Sequence, residues 1–171
     1  MKADKSASTG SSSNQIIIGD YMAKKVGLIG CGAIGTVLAE AIERKLVVCD
    51  ELVVYDIDAA KSQKLKDALN FPVTIVDSVD ELLALKPKVV VEAASQAAAL
   101  DYVPKIAASK TELIVMSTGA LLSLNDVDLG RVHVPSGAIG GLDAISSAAL
   151  AGIDEVTLTS RKNPRALGKV N

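Results

Sequence analysis

The chain has 171 residues, room for one domain and the opening of a second, and 49% of them are apolar, so a core needs no disulfide or metal staple. One phenylalanine, three tyrosines and no tryptophan leave few rings to stack bases, and eighteen basic against twenty acidic residues (net charge -2) make no broad surface for phosphate backbones or anionic lipid. No nucleic acid and no membrane is the expectation, and a small molecule is the expected partner. The apolar stretches are broken by charge well before the 18 or more residues of a membrane span. Two cysteines and one histidine exclude a Cys/His zinc cluster and fit a reducing cytoplasm.

In chain order, residues 1–21 come first: a Ser-, Lys- and Asn-rich leader with no periodicity, too polar to offset its ordering entropy. Met22 follows it immediately, so the leader reads as an expression remnant or the product of an upstream start codon rather than part of the fold. From Lys25 onward, β-branched runs at 26–29, 52–55, 73–76, 89–92, 113–117 and 131–134 alternate with stretches of helical period. That alternation predicts βαβ units with right-handed crossovers: a doubly wound, six-stranded parallel α/β sheet of the Rossmann type.

Between the first two runs, Ile34, Val37, Leu38, Ala41 and Ile42 recur at helical spacing and predict a stripe packed on the sheet. Ser78 and Glu81 have the spacing of a capping box, Ser95 can cap the helix running towards Ala107, and Pro104 is expected to kink or shorten that helix. After Pro135 come a glycine-rich stretch, an Ala-rich helix reaching Ala151, and a strand-like run over 155–159. The chain then ends in residues with connector character, which predicts a nucleotide domain over 22–153 and the start of a truncated α+β substrate domain over 154–171.

The strongest local signal is Gly30-Cys31-Gly32-Ala33-Ile34-Gly35, a Gly-x-Gly-x-x-Gly directly after a strand and opening a helix. Gly30 permits the tight turn, Gly32 lets the backbone approach a pyrophosphate, and Gly35 lets helix and strand lie close. The free N–H groups and positive dipole end of the helix face the phosphates. Asp56 closes the second strand about twenty positions on, where its carboxylate can accept from the ribose hydroxyls of NAD; the alternative is that it caps the next helix, a task Asp58 could perform. NAD is favoured over NADP, although Lys61 is a nearby cation that could admit a 2′-phosphate.

Glu92-Ala93-Ala94-Ser95-Gln96 and Ser117-Thr118-Gly119-Ala120 end the fourth and fifth strands, where open α/β sheets bind ligands. Ala94, Ser95, Gly119 and Ala120 are small enough to leave room for a nicotinamide ribose, or they are merely caps and turns. His133, between Val132 and Val134, reads as a structural strand residue without an acidic partner nearby in sequence. Cys31 needs only to be small at its loop position, and Cys49 reads as packing. No Ser, His and acid set can be assembled, so hydrolysis is unsupported.

Pro135-Ser136-Gly137-Ala138-Ile139-Gly140-Gly141-Leu142-Asp143-Ala144 resembles a signature of the L-aspartate dehydrogenases of archaea and bacteria. The phosphate loop, the two small-residue stretches and Thr159-Ser160-Arg161-Lys162-Asn163-Pro164 are similar too, in the same order across residues 24–168. The resemblance implies NAD(P)-dependent deamination of L-aspartate to iminoaspartate, feeding NAD synthesis, in a cytoplasmic homo-oligomer. It places Ala120 where that family's turn touches the cofactor and the stretch from Ser136 to Gly141 beside nicotinamide and substrate. The family's catalytic histidine belongs to a second domain, and His133 does not match it, so the resemblance assigns no catalytic residue here. Other expected readings are a homoserine-dehydrogenase-like or dihydrodipicolinate-reductase-like enzyme, and an NAD-binding regulatory module without catalysis.

Overall fold

A computed structural model describes residues 25–137 and 141–159. The leader over 1–21, the signature residues Ala138, Ile139 and Gly140, and the connector from Ser160 onward lie outside the described residues. The chain divides into two compact units, one ending at Pro135 and the other starting at Ser136.

In the first unit, β1 (Lys25–Ile29), α1 (Ala33–Glu43), β2 (Glu51–Tyr55), α2 (Ala59–Ala68) and β3 (Val73–Ile75) form one half of the sheet. The other half is α3 (Val79–Ala84), β4 (Val89–Glu92), α4 (Gln96–Ala108), β5 (Glu112–Val115), a 3-10 helix (Thr118–Ser123) and β6 (Val132–His133). All six strands pair in parallel in the order β3-β2-β1-β4-β5-β6. The doubly wound sheet and its six strands are as the alternation predicts, with edges shifted by one or two residues. Strand β1 lies between β2 and β4, so the strand order reverses there and a crevice opens at the carboxyl ends.

Both faces of the sheet are covered, which is why the strands are apolar without alternation: Leu52, Val53 and Val54 are all fully buried. Val26, Leu28, Leu52 and Val54 pack with Ala39 and Ile42 of α1 and Leu65 of α2 on one face. Ile29, Val53, Val90 and Leu113 pack with Leu82 of α3 and Val103 and Ile106 of α4 on the other. Each such aliphatic side chain contributes about 1.5–3 kcal/mol on burial. Gly27 lets α3 approach, since a Cβ there would lie 2.7 Å from Leu82 Cδ2.

Three helices start at side-chain caps. Asp58 accepts from Ala60 N–H at 3.1 Å, Ser78 from Glu81 N–H at 3.1 Å, and Ser95 from Ala98 N–H at 3.2 Å. Glu81 returns a bond by accepting from Asp77 N–H at 3.0 Å, so the capping box forms with its reciprocal arm one residue early.

The expected stripe of α1 is rotated. Gly35, Ala39 and Ile42 are its buried residues, while Ile34 is 49% and Val37 65% exposed. The close approach at Gly35 fixes which side of the helix meets the sheet, and periodicity alone cannot sense that contact. Pro104 does not shorten α4, which continues four residues past it to Ala108. In the second unit α5 (Leu142–Ala149) follows Gly141, whose φ of 76° is left-handed. The run over 155–159 forms no strand and is exposed throughout. An isolated extended segment lacks a ladder partner for its N–H and C=O groups, and no described residue supplies one.

Candidate functional site

A cavity of about 420 Å³ opens at the carboxyl ends of β1, β2 and β4. Five of the residues singled out in the sequence line it: Gly30, Gly32, Asp56, Ala94 and Ser95. The loop glycines play three separate physical parts. Gly30 has φ +94°, and a Cβ on it would lie 2.6 Å from Ala93 O, so this turn presses on the loop after β4. A Cβ at Gly35 would collide with Gly30 O, so the first turn of α1 leans on the strand end. At Gly32 a Cβ would meet nothing within 4 Å. The space there is open, and it lies at the start of α1, which has no side-chain cap. The first N–H groups of a helix have no intrahelical acceptor, so an anion at this position would be met by donors and by the positive end of the dipole.

Asp56 does not cap α2, because Asp58 does. Instead its Oδ2 accepts from Cys31 N–H at 2.7 Å and its Oδ1 from Asp58 N–H at 2.9 Å. These bonds fix the carboxylate on the cavity wall, and each oxygen retains a lone pair for a further donor. Lys61 also lines the cavity, with Nζ 3.9 Å from Asp58 Oδ2. Cys31 is buried, and burial pushes its thiol pKa up, with the neighbouring Asp56 charge acting the same way. That suppresses the thiolate, as expected for a residue chosen for size.

The remaining singled-out residues do not line this cavity. Ala33 and Ile34 lie exposed in the first turn of α1. Ala120, on the 3-10 helix, is buried in the core, and a Cβ on Gly119 would lie 2.7 Å from Gln96 Nε2. What these two offer a ligand is therefore backbone. Cys49 packs against the α1 side of the core and donates its thiol to Glu51 O at 3.1 Å; burial raises its pKa.

His133 has an acidic partner that its sequence neighbourhood conceals: Nε2 lies 2.8 Å from Glu112 Oε2 across the β5–β6 pairing. Arg131 Nη1 donates to the other oxygen at 2.6 Å. The group is exposed and borders a separate cavity of about 820 Å³ near the amino ends of β4 and β5. It stands away from the strand ends where α/β sheets hold ligands.

Sequence reading missed one wall of the site. Tyr55 and Tyr102 meet edge-on with centroids 5.9 Å apart and hydroxyls 3.4 Å apart. The hydrogen bond to Tyr55, with burial adding to it, pushes the Tyr102 pKa up to about 12. Ala97, Ala98, Asp101 and Tyr102 line the cavity as well, and their i, i+1, i+4, i+5 spacing on α4 was the available signal.

Among curated proteins, an L-aspartate dehydrogenase of Archaeoglobus fulgidus is 41% identical over 153 residues, which cover 84% of this chain and 59% of that protein. One from Methanothermobacter thermautotrophicus is 37% identical over 157 residues, covering 84% of this chain and 58% of that protein. The chain thus spans less than two thirds of the length of these relatives. Among solved structures, myo-inositol dehydrogenase from Lactobacillus casei in complex with NAD(H) and myo-inositol has a TM-score of 0.57 and 18% identity, over 77% of this chain and 42% of that one. Lactate dehydrogenase from Eimeria maxima with NADH and oxamate has a TM-score of 0.51 and 16% identity, over 68% of this chain and 44% of that one. At such identities the likeness concerns the fold. Residues 30–129 match the family model described as homoserine dehydrogenase, NAD binding domain. Since that match begins in the phosphate loop and runs through more than half of the sequence, the chain belongs to this family.

Proposed function

We propose that this chain is the NAD-binding part of an L-aspartate dehydrogenase. The observation that carries the reading is the open space over Gly32 at the start of α1, which has no side-chain cap, beside a carboxylate held in place by Cys31 and Asp58 N–H groups. Diphosphate fits the first and a ribose diol the second, so the residues present suit a dinucleotide. Of those singled out, Gly30, Gly32, Ala33, Ile34 and Gly35 would hold the diphosphate, Asp56 the adenosine ribose, and Ala94, Ser95, Gly119 and Ala120 the nicotinamide end. Asp56 disfavours a 2′-phosphate, which supports NAD over NADP, with Lys61 the residue through which NADP could be tolerated.

Bound there, a nicotinamide would supply a hydride acceptor for the α-carbon of aspartate, whose amine would become an imine with loss of a proton. The chain's own residues grip and orient the cofactor, and the tyrosine wall excludes water from one side of it. The substrate class is supported by the curated aspartate dehydrogenases at 41% and 37% identity. The same reading takes 22–153 as the nucleotide domain and 154–171 as the beginning of a substrate domain, in a cytoplasmic homo-oligomer. Among the described residues, no helix is long and apolar enough to cross a membrane.

The family match favours a second reading, a homoserine-type oxidoreductase on the same cofactor site. Titration calorimetry with NADH is the first test: saturable heat is expected, and well-folded protein giving none at millimolar NADH would refute cofactor binding. With cofactor bound, L-aspartate is expected to perturb nicotinamide fluorescence and homoserine to leave it unchanged; the reverse result selects the second reading.

A further inference from the structure

We infer that Glu92 is a positioning residue for the nicotinamide half of the cofactor, an inference that rests on the NAD-binding reading. Glu92 is fully buried, and it and Ser62 are the buried polar residues of the described chain. Its Oε1 accepts from Ala94 N–H at 2.8 Å and from the Ser117 hydroxyl at 2.9 Å, while its Oε2 accepts from Ser117 N–H at 3.0 Å. A carboxylate out of water is tolerated only with such a set of donors, so its presence here, where an aliphatic residue would continue the core, calls for a use.

The use follows from its place. The last backbone bond between the β4 and β5 strands is Met116 N–H to Glu92 O at 2.9 Å. Beyond it the two chains diverge, one into Ala94 and Ser95 on the cavity wall, the other into Ser117 and the 3-10 helix. The Glu92 side chain spans that divergence, bonding once to the first loop and twice to the second. Further out, Gly119 packs against the Gln96 side chain, and a Cβ there would lie 2.7 Å from its Nε2 and displace the amide. Between these outer contacts, the Glu92 carboxylate is the buried tie that holds the two loops at their separation. Beside β1, at the reversal of strand order, that gap lies on the β4 side of the cleft, away from Asp56 at the end of β2.

Glu92→Gln tests this with two ligands, NADH and ADP. Whichever way the amide is turned, its NH2 faces an N–H or O–H donor, and the strut opens. We expect the NADH dissociation constant to rise about tenfold and that of ADP, which needs only the phosphate loop and Asp56, to stay within about twofold. Equal NADH affinity in mutant and wild type overturns the inference, and so does a parallel loss for both ligands, which marks a general structural defect. If Glu92→Gln does not fold, Ser117→Ala removes one of the three donors and leaves the carboxylate in place. A loss of about threefold for NADH alone is then expected, and no change for NADH overturns the inference. Absence of NADH binding by the wild-type chain overturns the cofactor reading itself, a distinct result.

Discussion

The three loop glycines share one motif but make different demands, and substitution separates them. Gly30→Ala must force a Cβ against Ala93 O in a left-handed turn, and Gly35→Ala must push α1 off the strand end. Each is expected to cost about 1–3 kcal/mol, read as a lowered midpoint in urea. Gly32→Ala meets open space at φ −78°, an ordinary extended backbone, so it should cost less than about 1 kcal/mol. Its effect should fall on NADH, with affinity lowered tenfold or more, because the new methyl would enter the space proposed for the diphosphate. Unaltered NADH affinity in stable Gly32→Ala protein would remove the diphosphate from that position. The pattern Gly-x-Gly-x-x-Gly was legible in the sequence, and so was Asp56. Which Asp caps α2 was not, because Asp56 and Asp58 are equally plausible caps until the Cys31 N–H is seen to claim one of them.

Helix starts and stops were legible wherever a local device sets them. Ser78 and Ser95 do so through bonds to N–H groups three residues away, which sequence spacing captures directly. Ser78→Ala should lower stability by about 1 kcal/mol, a few degrees in Tm, and leave NADH affinity unchanged, since α3 does not border the cleft. A change in NADH affinity would place α3 in the site after all. The buried side of α1 was misread because Ile34 and Val37 satisfy the same spacing as the residues that actually meet the sheet. Its orientation depends on Gly35 against Gly30, a contact between elements. Pro104 was expected to limit α4, yet the packing of Val103 and Ile106 carries the helix past it.

The whole sheet is also a charge arrangement. The hydrogen bond from His133, with Arg131 adding its own, holds the Glu112 carboxyl below its ordinary range. Thr74, with Lys25 in support, does the same for Glu51. In both cases the folded pKa is depressed, so the unfolded chain binds more protons on acidification. The stabilisation is full above the unfolded carboxylate pKa of about 4.3 and is lost as pH falls through the lower folded value. Thermal unfolding between pH 7 and 3 should therefore show Tm dropping on the acid side, with a shallower drop in Glu112→Gln. An equally steep drop in that variant would mean that the Glu112, Arg131 and His133 group is not formed in solution.

The order of elements, the parallel sheet, the phosphate loop and the Ser78 and Ser95 helix caps depend on residues within a few positions of one another, or on the simple alternation of two periods. Such features are written in the chain. The partner of His133, the tyrosine wall and the clamp made by Glu92 arise between residues about 20 to 50 positions apart, brought together only when β1, β2, β4 and β5 align side by side. A pairwise contact across strands has no signature in either segment alone, since each side chain is ordinary until burial and register give it a neighbour.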